Sequence, residues 1–376
     1  MPQSAFNDDA LPALSSLPYI RAISAYQPGK PITELAREMG LPVESIVKLA
    51  SNENPLGMSP KAKEAAAAAL AGGERYPDPF MLTAALAARH GVEANQIVLG
   101  NGSNDVLDLV ARVFLDSGRS AVASQYAFAV YPIATLSVGG EMITVPAQNY
   151  GHDLEAMRLA IRPDTHVVWI ANPNNPTGTF LSADALCAFL SAVPRRVAVV
   201  LDEAYTDYLE TDEQYDAVAW VREFPNLIVC RTFSKIYGMA GLRIGYGIAS
   251  APVADLMNRV RQPFNCNNLA LASAIAALED QEFLAKSHAS NREGRATLID
   301  GFETSGLEYI PSRGNFITFK AGADKAAATV IHQKLLRQGV IVRPLAGYAM
   351  PEWLRVTIGA PSENARFLEA LKVALS

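Results

Sequence analysis

From about residue 95 onward, short apolar runs rich in valine and isoleucine alternate with amphipathic helical windows. The runs that have the length of buried strands are Gln96–Leu99, Ser120–Ala123, Met142–Val145, Val167–Ala171, Val197–Leu201, Ile228–Arg231 and Gly245–Ala249. Helical periodicity appears between several of them, at Asp105–Phe114, Asp153–Ala160 and Ala183–Ala192. Near-continuous apolar strands joined by helices predict an α/β fold, with a mostly parallel sheet covered by helices on both faces.

The pattern changes after this region. A long helical window at Leu269–Ala296 leads to strand-like runs and helical windows that predict a smaller α+β domain: Phe316–Phe319, Ala326–Gln338, Val340–Val342, Leu354–Ile358 and Ser362–Leu375. The first fifty residues are rich in proline and contain one short helical pattern, Ile32–Met39, which is typical of an arm laid over a domain. The 376 residues also exceed what one core of roughly 250–300 residues supports. We therefore predict an N-terminal arm at 1–45 packing on the small domain, a large domain at 46–268 and a small domain at 269–376.

Composition excludes several classes of protein. The net charge is −6 and no long block of like charges occurs, so the chain lacks the basic stripe of a nucleic-acid binder. Three widely spaced cysteines and five scattered histidines form no CxxC or HExxH motif, which argues against zinc sites and disulfide frameworks. The sequence shows no signal-peptide pattern and no apolar run long enough to span a membrane. The expectation is a cytoplasmic protein with no metal.

Polar and ionisable residues follow four of the predicted strands, at the edge where open α/β sheets bind ligands. The four segments are GNGSND (100–105), NPNNPTG (172–178), DEAY (202–205) and TFSK (232–235). Each has an ordinary explanation when taken alone, because Ser103 or Asn104 can cap a helix and Lys235 can be a solvated surface lysine. Four such segments at one sheet edge indicate a single ligand site.

The combined chemistry of these segments matches the needs of pyridoxal phosphate. That cofactor takes a lysine for a Schiff base, an acid for its pyridine nitrogen and donors for its phenolic oxygen. A helix start offers backbone N–H groups to its phosphate, and Ser234 and Arg243 can add charge-assisted hydrogen bonds. GNGSND is neither a dinucleotide fingerprint, because the third glycine is missing, nor a P-loop, because no GK[ST] follows.

In this order, NPNNPTG, DEAY and TFSKxxGxxGLRxGY resemble the fold type I aminotransferases that use pyridoxal 5′-phosphate. The resemblance extends through SNENPLG (51–57), GNGSND, FAVYP (128–132), GNF (314–316) and VIVRP…LRVTIG (340–359), and covers nearly the whole chain from about residue 19. Within that family the pattern is most similar to the histidinol-phosphate aminotransferases, in the subgroup that shades into aromatic aminotransferases. It implies a ping-pong transfer of an amino group between glutamate/2-oxoglutarate and histidinol phosphate/imidazole-acetol phosphate, a step of histidine biosynthesis.

The resemblance also implies roles for individual residues. Lys235 forms the Schiff base and moves the proton at the substrate's α-carbon, and Asp202 pairs with the pyridinium nitrogen. Asn175 and Tyr205 bond the phenolic oxygen. The phosphate is held by a helix start and by two side chains from the TFSKxxGxxGLR segment, that is, by Gly102, Ser103, Asn104, Ser234 and Arg243.

Two aromatic positions are implied in the same way. Tyr76, in ERYPD, resembles the tyrosine that reaches a phosphate across a subunit interface, which implies a homodimer with shared sites. The alternative is a surface aromatic beside a proline turn. For the aromatic that stacks on the cofactor ring, the spacing from Tyr131 selects Phe128, since stacking needs only a π-face, and Tyr126 is the second candidate.

For the substrate, Arg355 in LRVTIG resembles the family arginine that binds a carboxylate or a phosphate, and a guanidinium fork suits either anion. Arg343 assists it or forms a structural ion pair, and Tyr26 resembles a residue that closes over the substrate. An aromatic aminotransferase, a dual-specificity enzyme and a decarboxylase of the same fold remain alternatives at this point. A regulator built on this fold is disfavoured, because such proteins carry an N-terminal DNA-binding domain.

Overall fold

The computed structural model of the chain describes residues 16–26 and 28–376. Its strands are, in chain order, Val47–Lys48 (β1), Ile97–Gly100 (β2), Ser120–Ser124 (β3), Glu141–Val145 (β4), Thr165–Ala171 (β5), Ala198–Asp202 (β6), Leu227–Thr232 (β7), Gly245–Ile248 (β8), Tyr309–Ile310 (β9), Phe316–Lys320 (β10), Val340–Ile341 (β11), Arg343–Pro344 (β12) and Trp353–Thr357 (β13). The seven apolar runs predicted as strands before residue 250 are β2 to β8, so each of these predictions is confirmed.

The helices alternate with the strands in the first part of the chain and dominate the second. They are Pro18–Arg21 (α1), Ile32–Met39 (α2), Pro60–Ala69 (α3), Phe80–His90 (α4), Ser103–Phe114 (α5), Val130–Ser137 (α6), Leu154–Leu159 (α7), Ala183–Ala192 (α8), Ala217–Trp220 (α9), Ala251–Val260 (α10), Asn268–Glu279 (α11), Gln281–Thr304 (α12), Lys325–Arg337 (α13) and Pro361–Leu375 (α14). Local capping sets several of their starts. Ser59, for example, accepts a hydrogen bond from the backbone N–H of Ala62 and precedes Pro60 at the first position of α3.

The central sheet has seven strands in the order β2-β8-β7-β6-β5-β3-β4. All neighbours pair in parallel except β8, which runs antiparallel to both β2 and β7. Successive residues of β5 face opposite sides: Val168 packs in one apolar cluster and Trp169 in another. Helices cover both clusters, which confirms the α/β prediction and brings the carboxyl ends of six strands to one edge.

A second, smaller unit is built around a four-stranded antiparallel sheet, β12-β13-β10-β9. Its core joins Phe319 and Val356 of the sheet with Leu298 of α12, Leu335 of α13 and Phe367 of α14. This confirms the predicted α+β unit. No helix among residues 16–26 and 28–376 is both long and apolar enough to cross a membrane.

One sequence prediction is wrong in detail: the helical window Leu269–Ala296 is two helices, α11 and α12. Asp280 separates them, and its side chain accepts a hydrogen bond from the backbone N–H of Phe283 to cap α12. Helix α11 contributes Ala270 and Ala274 to the core of the seven-stranded sheet, although the predicted division at 268/269 assigns it to the small domain. The division itself stays a prediction.

The described part of the N-terminal arm contacts both units, because α1 lies against α6 of the large unit, whereas α2 packs on the small unit as predicted. Leu35 of α2 is fully buried in a cluster with Leu336 of α13 and Ile341 of β11. Strand β1 then pairs in parallel with β11. The chain therefore crosses from the arm into the large unit through residues 49–52, directly beside the edge where the parallel strands end.

Candidate active site

The carboxyl ends of the parallel strands open into a cavity of about 290 Å³. Most of the residues predicted for the site line it. They come from the arm, from the small unit and from the strand ends and loops after β2, β3, β5, β6 and β7: Tyr26, Ser103, Asn104, Phe128, Asn175, Asp202, Tyr205, Ser234, Lys235, Arg243, Arg343 and Arg355. Of the predicted residues, Gly102 and Tyr76 are not among those that line it. The tertiary structure thus brings together segments separated by up to about three hundred positions in the sequence.

Lys235 stands three residues after β7, with its side chain in the cavity. Its Nζ donates a hydrogen bond to the backbone oxygen of Ser51 at 3.4 Å and lies 5.6 Å from the centroid of the Tyr205 ring. Burial, reinforced by the positive charge of Arg355, lowers the pKa of Lys235 to about 8. A useful fraction of this amine is therefore neutral near pH 7, as a nucleophilic lysine requires.

Asp202 is the last residue of β6 and is buried at the floor of the cavity. The Tyr131 hydroxyl donates to its Oδ2 at 2.9 Å, and the backbone N–H of Ala204 donates to its Oδ1 at 3.2 Å. Burial raises the pKa of Asp202 to about 6, and the hydrogen bonds from Tyr131 and Ala204 oppose that shift. A buried carboxyl held in this way is suited to pair with a cationic N–H group in the cavity.

Tyr131 is a residue whose contact the sequence did not predict. Its ring is fully buried and stacks on Trp169, with 5.3 Å between ring centroids. In the sequence, Tyr131 served only to select Phe128 by its spacing in FAVYP. The hydrogen bond from Tyr131 to Asp202 depends on the packing of α6 against β5, which no local sequence pattern encodes.

Arg355 lies in β13 and enters the cavity from the small unit. Its guanidinium donates from Nη1 to Asn175 Oδ1 and from Nη2 to the backbone oxygen of Ala50, the latter at 3.0 Å. Its buried Nε has no partner among the described residues, and burial lowers the pKa of Arg355. A buried guanidinium with unused donor capacity is a binding group for an anionic ligand.

The start of α5 and Arg243 offer hydrogen-bond donors to an anion in the same cavity. Gly102, with φ of 85°, turns the chain into the helix, and its Cα lies so close to the Arg243 guanidinium that a Cβ there would collide with it. Arg243 Nη1 also donates to Ser234 Oγ at 3.4 Å. The start of a twelve-residue helix, a hydroxyl and a guanidinium lie together here, and these three groups fit a phosphate.

Phe128, and not Tyr126, lines the cavity. Phe128 meets Tyr131 edge to face, with 5.8 Å between centroids. Tyr126 packs instead with Tyr150 at 5.9 Å, in a cluster that includes Trp353. Of the two aromatic candidates, Phe128 is therefore the one that can face a ring bound in the cavity.

Two predicted residues sit at the surface. Tyr76 is 79% exposed and stacks on Phe264, with 4.4 Å between centroids. Tyr26 is half exposed, and its ring centroid lies 5.3 Å from the guanidinium carbon of Arg343. Tyr26 thus closes one side of the cavity within the chain, whereas Tyr76 lies outside it.

The donor set of the cavity fits pyridoxal phosphate. It combines a lysine of lowered pKa, a buried carboxyl on the floor, an aromatic face and a phosphate site at a helix start, together with a second anion site at Arg355. No group of three or more histidine, cysteine or carboxylate side chains able to hold a metal ion occurs among the residues that the structure describes.

The amino-acid sequence is similar to those of known aminotransferases along nearly its whole length. The family model for aminotransferase class I and II matches residues 44–371. The chain is 67% identical over 360 residues to histidinol-phosphate aminotransferase 1 of Dechloromonas aromatica (strain RCB), covering 96% of this chain and 98% of that protein. It is 59% identical over 359 residues to histidinol-phosphate aminotransferase 2 of Nitrosospira multiformis, covering 95% and 91%.

The fold is also similar to that of a solved structure. The crystal structure of histidinol-phosphate aminotransferase from Sinorhizobium meliloti in complex with pyridoxal-5′-phosphate matches with a TM-score of 0.89 at 29% identity. The match covers 97% of this chain and 99% of that chain.

Proposed function

The chain belongs to the class I and II aminotransferases, and from this premise we propose that it transfers an amino group between glutamate/2-oxoglutarate and histidinol phosphate/imidazole-acetol phosphate. The reaction is a step of histidine biosynthesis. The observation that carries the proposal is the 67% identity, over nearly all of both chains, with a protein named for this activity. The cavity supports it, because one chamber unites Lys235 and Asp202 with two anion sites.

The cofactor is pyridoxal 5′-phosphate, which when bound carries the amino group and withdraws negative charge from the substrate's α-carbon. Asp202 would pair with the ring nitrogen and keep it protonated, and Phe128 would face the ring. Tyr205 and Asn175 bond the phenolic oxygen. The phosphate is bound by the start of α5 and by two side chains: Gly102, Ser103, Asn104, Ser234 and Arg243.

Lys235 has two tasks in this proposal. Its neutral amine would hold the cofactor through its aldehyde group, and the same amine would move the proton at the substrate's α-carbon. The lowered pKa of Lys235, about 8, suits both tasks, because a general base works best when its pKa lies near the working pH. The backbone oxygen of Ser51 accepts a hydrogen bond from this amine and so restrains its position.

Arg355 and Arg343 bind the anionic end of each substrate. Histidinol phosphate offers a phosphate and glutamate a carboxylate, and a guanidinium donates hydrogen bonds to either. Tyr26, stacked against Arg343, lies over the substrate and keeps water away from it. Asn175 orients Arg355 through the hydrogen bond between them.

The enzyme is proposed to be a homodimer in which Tyr76 of each subunit bonds the cofactor phosphate held by the other. Supporting this, Tyr76 is exposed, stacks on a second exposed aromatic and is absent from the lining of its own cavity. A cytoplasmic location remains a prediction from the sequence.

A half-reaction titration tests the substrate. The visible absorption band of the cofactor-loaded protein is followed as histidinol phosphate, phenylalanine, tyrosine and glutamate are added separately. We expect histidinol phosphate and glutamate to bleach the band rapidly and the two aromatic amino acids to leave it unchanged. Comparable bleaching by phenylalanine or tyrosine would identify an aromatic or dual-specificity enzyme, and the lack of a band would contradict the cofactor assignment.

A further inference from the structure

Asn52 lines the cavity and has no role assigned by the sequence motifs. It lies in SNENPLG, is only 1% exposed, and has a backbone φ of 56°. This left-handed conformation is uncommon for residues other than glycine, although asparagine adopts it more readily than most. A buried residue keeps such a conformation because its surroundings hold it there.

Every polar group of Asn52 has a partner. Its backbone N–H donates to Thr357 Oγ1 at 2.9 Å, and its backbone oxygen accepts from Asn315 Nδ2 at 2.9 Å. The Thr357 hydroxyl donates in turn to Asn52 Oδ1 at 3.2 Å. The remaining group, Nδ2, donates to the Tyr205 hydroxyl oxygen at 2.9 Å. Asn52 therefore connects Tyr205, three residues after β6 in the large unit, with β13 and the residue before β10 in the small unit.

The three residues before Asn52 make matching contacts. The backbone oxygen of Leu49 accepts from the backbone N–H of Thr357 at 2.8 Å, and that of Ala50 accepts from Arg355 Nη2 at 3.0 Å. The Ser51 oxygen accepts from Lys235. The carbonyl groups of three consecutive residues thus accept hydrogen bonds from β13, from Arg355 on that strand and from Lys235.

The hydrogen bond to Tyr205 has a defined direction. An amide NH₂ group can only donate, so the Tyr205 oxygen accepts from Asn52. The Tyr205 O–H proton is then free to donate into the cavity, which is the polarity needed to bond a phenolic oxygen there. The Tyr205 ring is fixed independently by edge-to-face packing on Phe316, with 5.2 Å between centroids.

We propose that Asn52 is a positioning residue with two effects. It orients the Tyr205 hydroxyl toward the cofactor, and it fixes the position of β13, the strand that carries Arg355, relative to Tyr205. The inference rests on the proposed function, because it assigns Tyr205 to the cofactor and Arg355 to the substrate. Asn52 touches neither molecule in this proposal and acts through these two side chains.

The test uses Asn52→Gly. Glycine adopts positive φ without strain, so this substitution removes the side-chain amide and leaves the backbone conformation accessible. Asn149→Gly is the matched control, because Asn149 is exposed, lies outside the cavity lining and also has positive φ, at 49°. We expect Asn52→Gly to weaken pyridoxal phosphate binding to the cofactor-free protein by about three- to tenfold, the usual effect of one hydrogen bond. We also expect it to lower kcat and to raise the KM for glutamate. The Asn149→Gly protein should match the wild type in all three.

A double-mutant cycle with Tyr205→Phe separates positioning from general destabilisation. If Asn52 acts on the cofactor through Tyr205, its substitution should weaken cofactor binding far less in the Tyr205→Phe background than in the wild type. The inference would be overturned if Asn52→Gly weakened cofactor binding equally in both backgrounds, or no more than Asn149→Gly does. In that case, turnover of histidinol phosphate by the wild type would still support the proposed function. A wild type with no such turnover would instead contradict the proposed function.

Discussion

At the scale of single residues, the site depends on two ionisable groups whose surroundings shift their pKa values in useful directions. Burial lowers the pKa of Lys235 to about 8 and raises that of Asp202 to about 6. Both shifts have burial as the main cause, so both follow from where the β6 and β7 ends lie in the fold. Each shift leads to a measurable expectation.

The cofactor-free protein should capture pyridoxal phosphate at a pH-dependent rate. Only the neutral amine of Lys235 attacks the aldehyde, and below its pKa of about 8 the neutral fraction grows tenfold per pH unit. The rate of covalent capture, trapped with borohydride and measured by mass, should therefore rise steeply from pH 6.5 to 8 and level off above. The Lys235→Ala protein should show no capture, and a flat profile in the wild type would contradict the lowered pKa.

Replacing the floor carboxylate should slow the chemistry without unfolding the protein. In Asp202→Asn the amide oxygen can still accept from the Tyr131 hydroxyl, although the amide NH₂ group then faces the Ala204 N–H, and the charge proposed to pair with the ring nitrogen is lost. We expect kcat to fall roughly 10²- to 10³-fold, as for other preorganised electrostatic groups. Asp216→Asn, at the N-cap of α9 and outside the cavity lining, serves as the control and should leave kcat unchanged. An unaltered kcat in Asp202→Asn would mean that another group holds the ring proton.

At the scale of elements, the phosphate site is made by the close approach of α5 to the antiparallel strand β8. Gly245 begins β8 and pairs with Gly100 at the end of β2. A Cβ on Gly245 would collide with the backbone nitrogen of Ser103 and lie 2.8 Å from the carbonyl carbon of Gly102. The absence of a side chain at this position is what allows the helix start to lie so near the strand.

Gly245→Ala should therefore displace the start of α5 and weaken cofactor binding. The colliding atoms belong to the backbone, so relief requires moving the helix, at a cost of about 1–3 kcal/mol. We expect the dissociation constant for pyridoxal phosphate to rise by about tenfold or more. Gly241→Ala is the matched control, since a Cβ there meets nothing within 4 Å and should change the constant little. Equal constants for the two variants would show that the close approach does not shape the phosphate site.

At the scale of the whole molecule, a group of exposed apolar side chains marks the candidate subunit interface. Leu70, Tyr76, Phe80 and Met81 are all exposed, and Tyr76 stacks on the exposed Phe264. The loop bearing Tyr76 is tied to α11 through the hydrogen bond from Asn268 Nδ2 to the backbone oxygen of Arg75, at 3.0 Å. Large exposed apolar side chains concentrated in residues 70–81 favour burial against a partner.

Mixed dimers test whether Tyr76 serves the neighbouring site. In a dimer of one Lys235→Ala subunit and one Tyr76→Ala subunit, one site contains an intact lysine and, if Tyr76 reaches across, an intact tyrosine from its partner. We expect such dimers, purified with two different tags, to recover about half of the wild-type activity per dimer at limiting cofactor. Activity no greater than the mean of the two parental homodimers would place the action of Tyr76 within its own chain.

From the amino-acid sequence alone, the order of the elements, the α/β fold class and the candidate residues of the site could be derived. The inner strands of the seven-stranded sheet are apolar runs, because burial on both faces of a sheet demands it, and four of the seven strands are followed by polar residues in the same local segment. Lys235, Asp202, Asn175 and Arg243 could therefore be named without coordinates. The resemblance of these segments to one enzyme family added their expected roles.

Tertiary packing supplies what the local segments lack, namely which distant residues surround the site. It selected Phe128 over Tyr126 for the cavity, placed α11 against the large sheet, and revealed the hydrogen bonds of Tyr131 to Asp202 and of Asn52 to Tyr205. Hydrophobic periodicity indicates which face of a helix or strand is buried, and capping residues indicate where a helix ends. Neither pattern indicates which distant segment packs against that face. The contacts of Asn52 join positions 153 and 305 residues away, so they exist only once the two units have packed together.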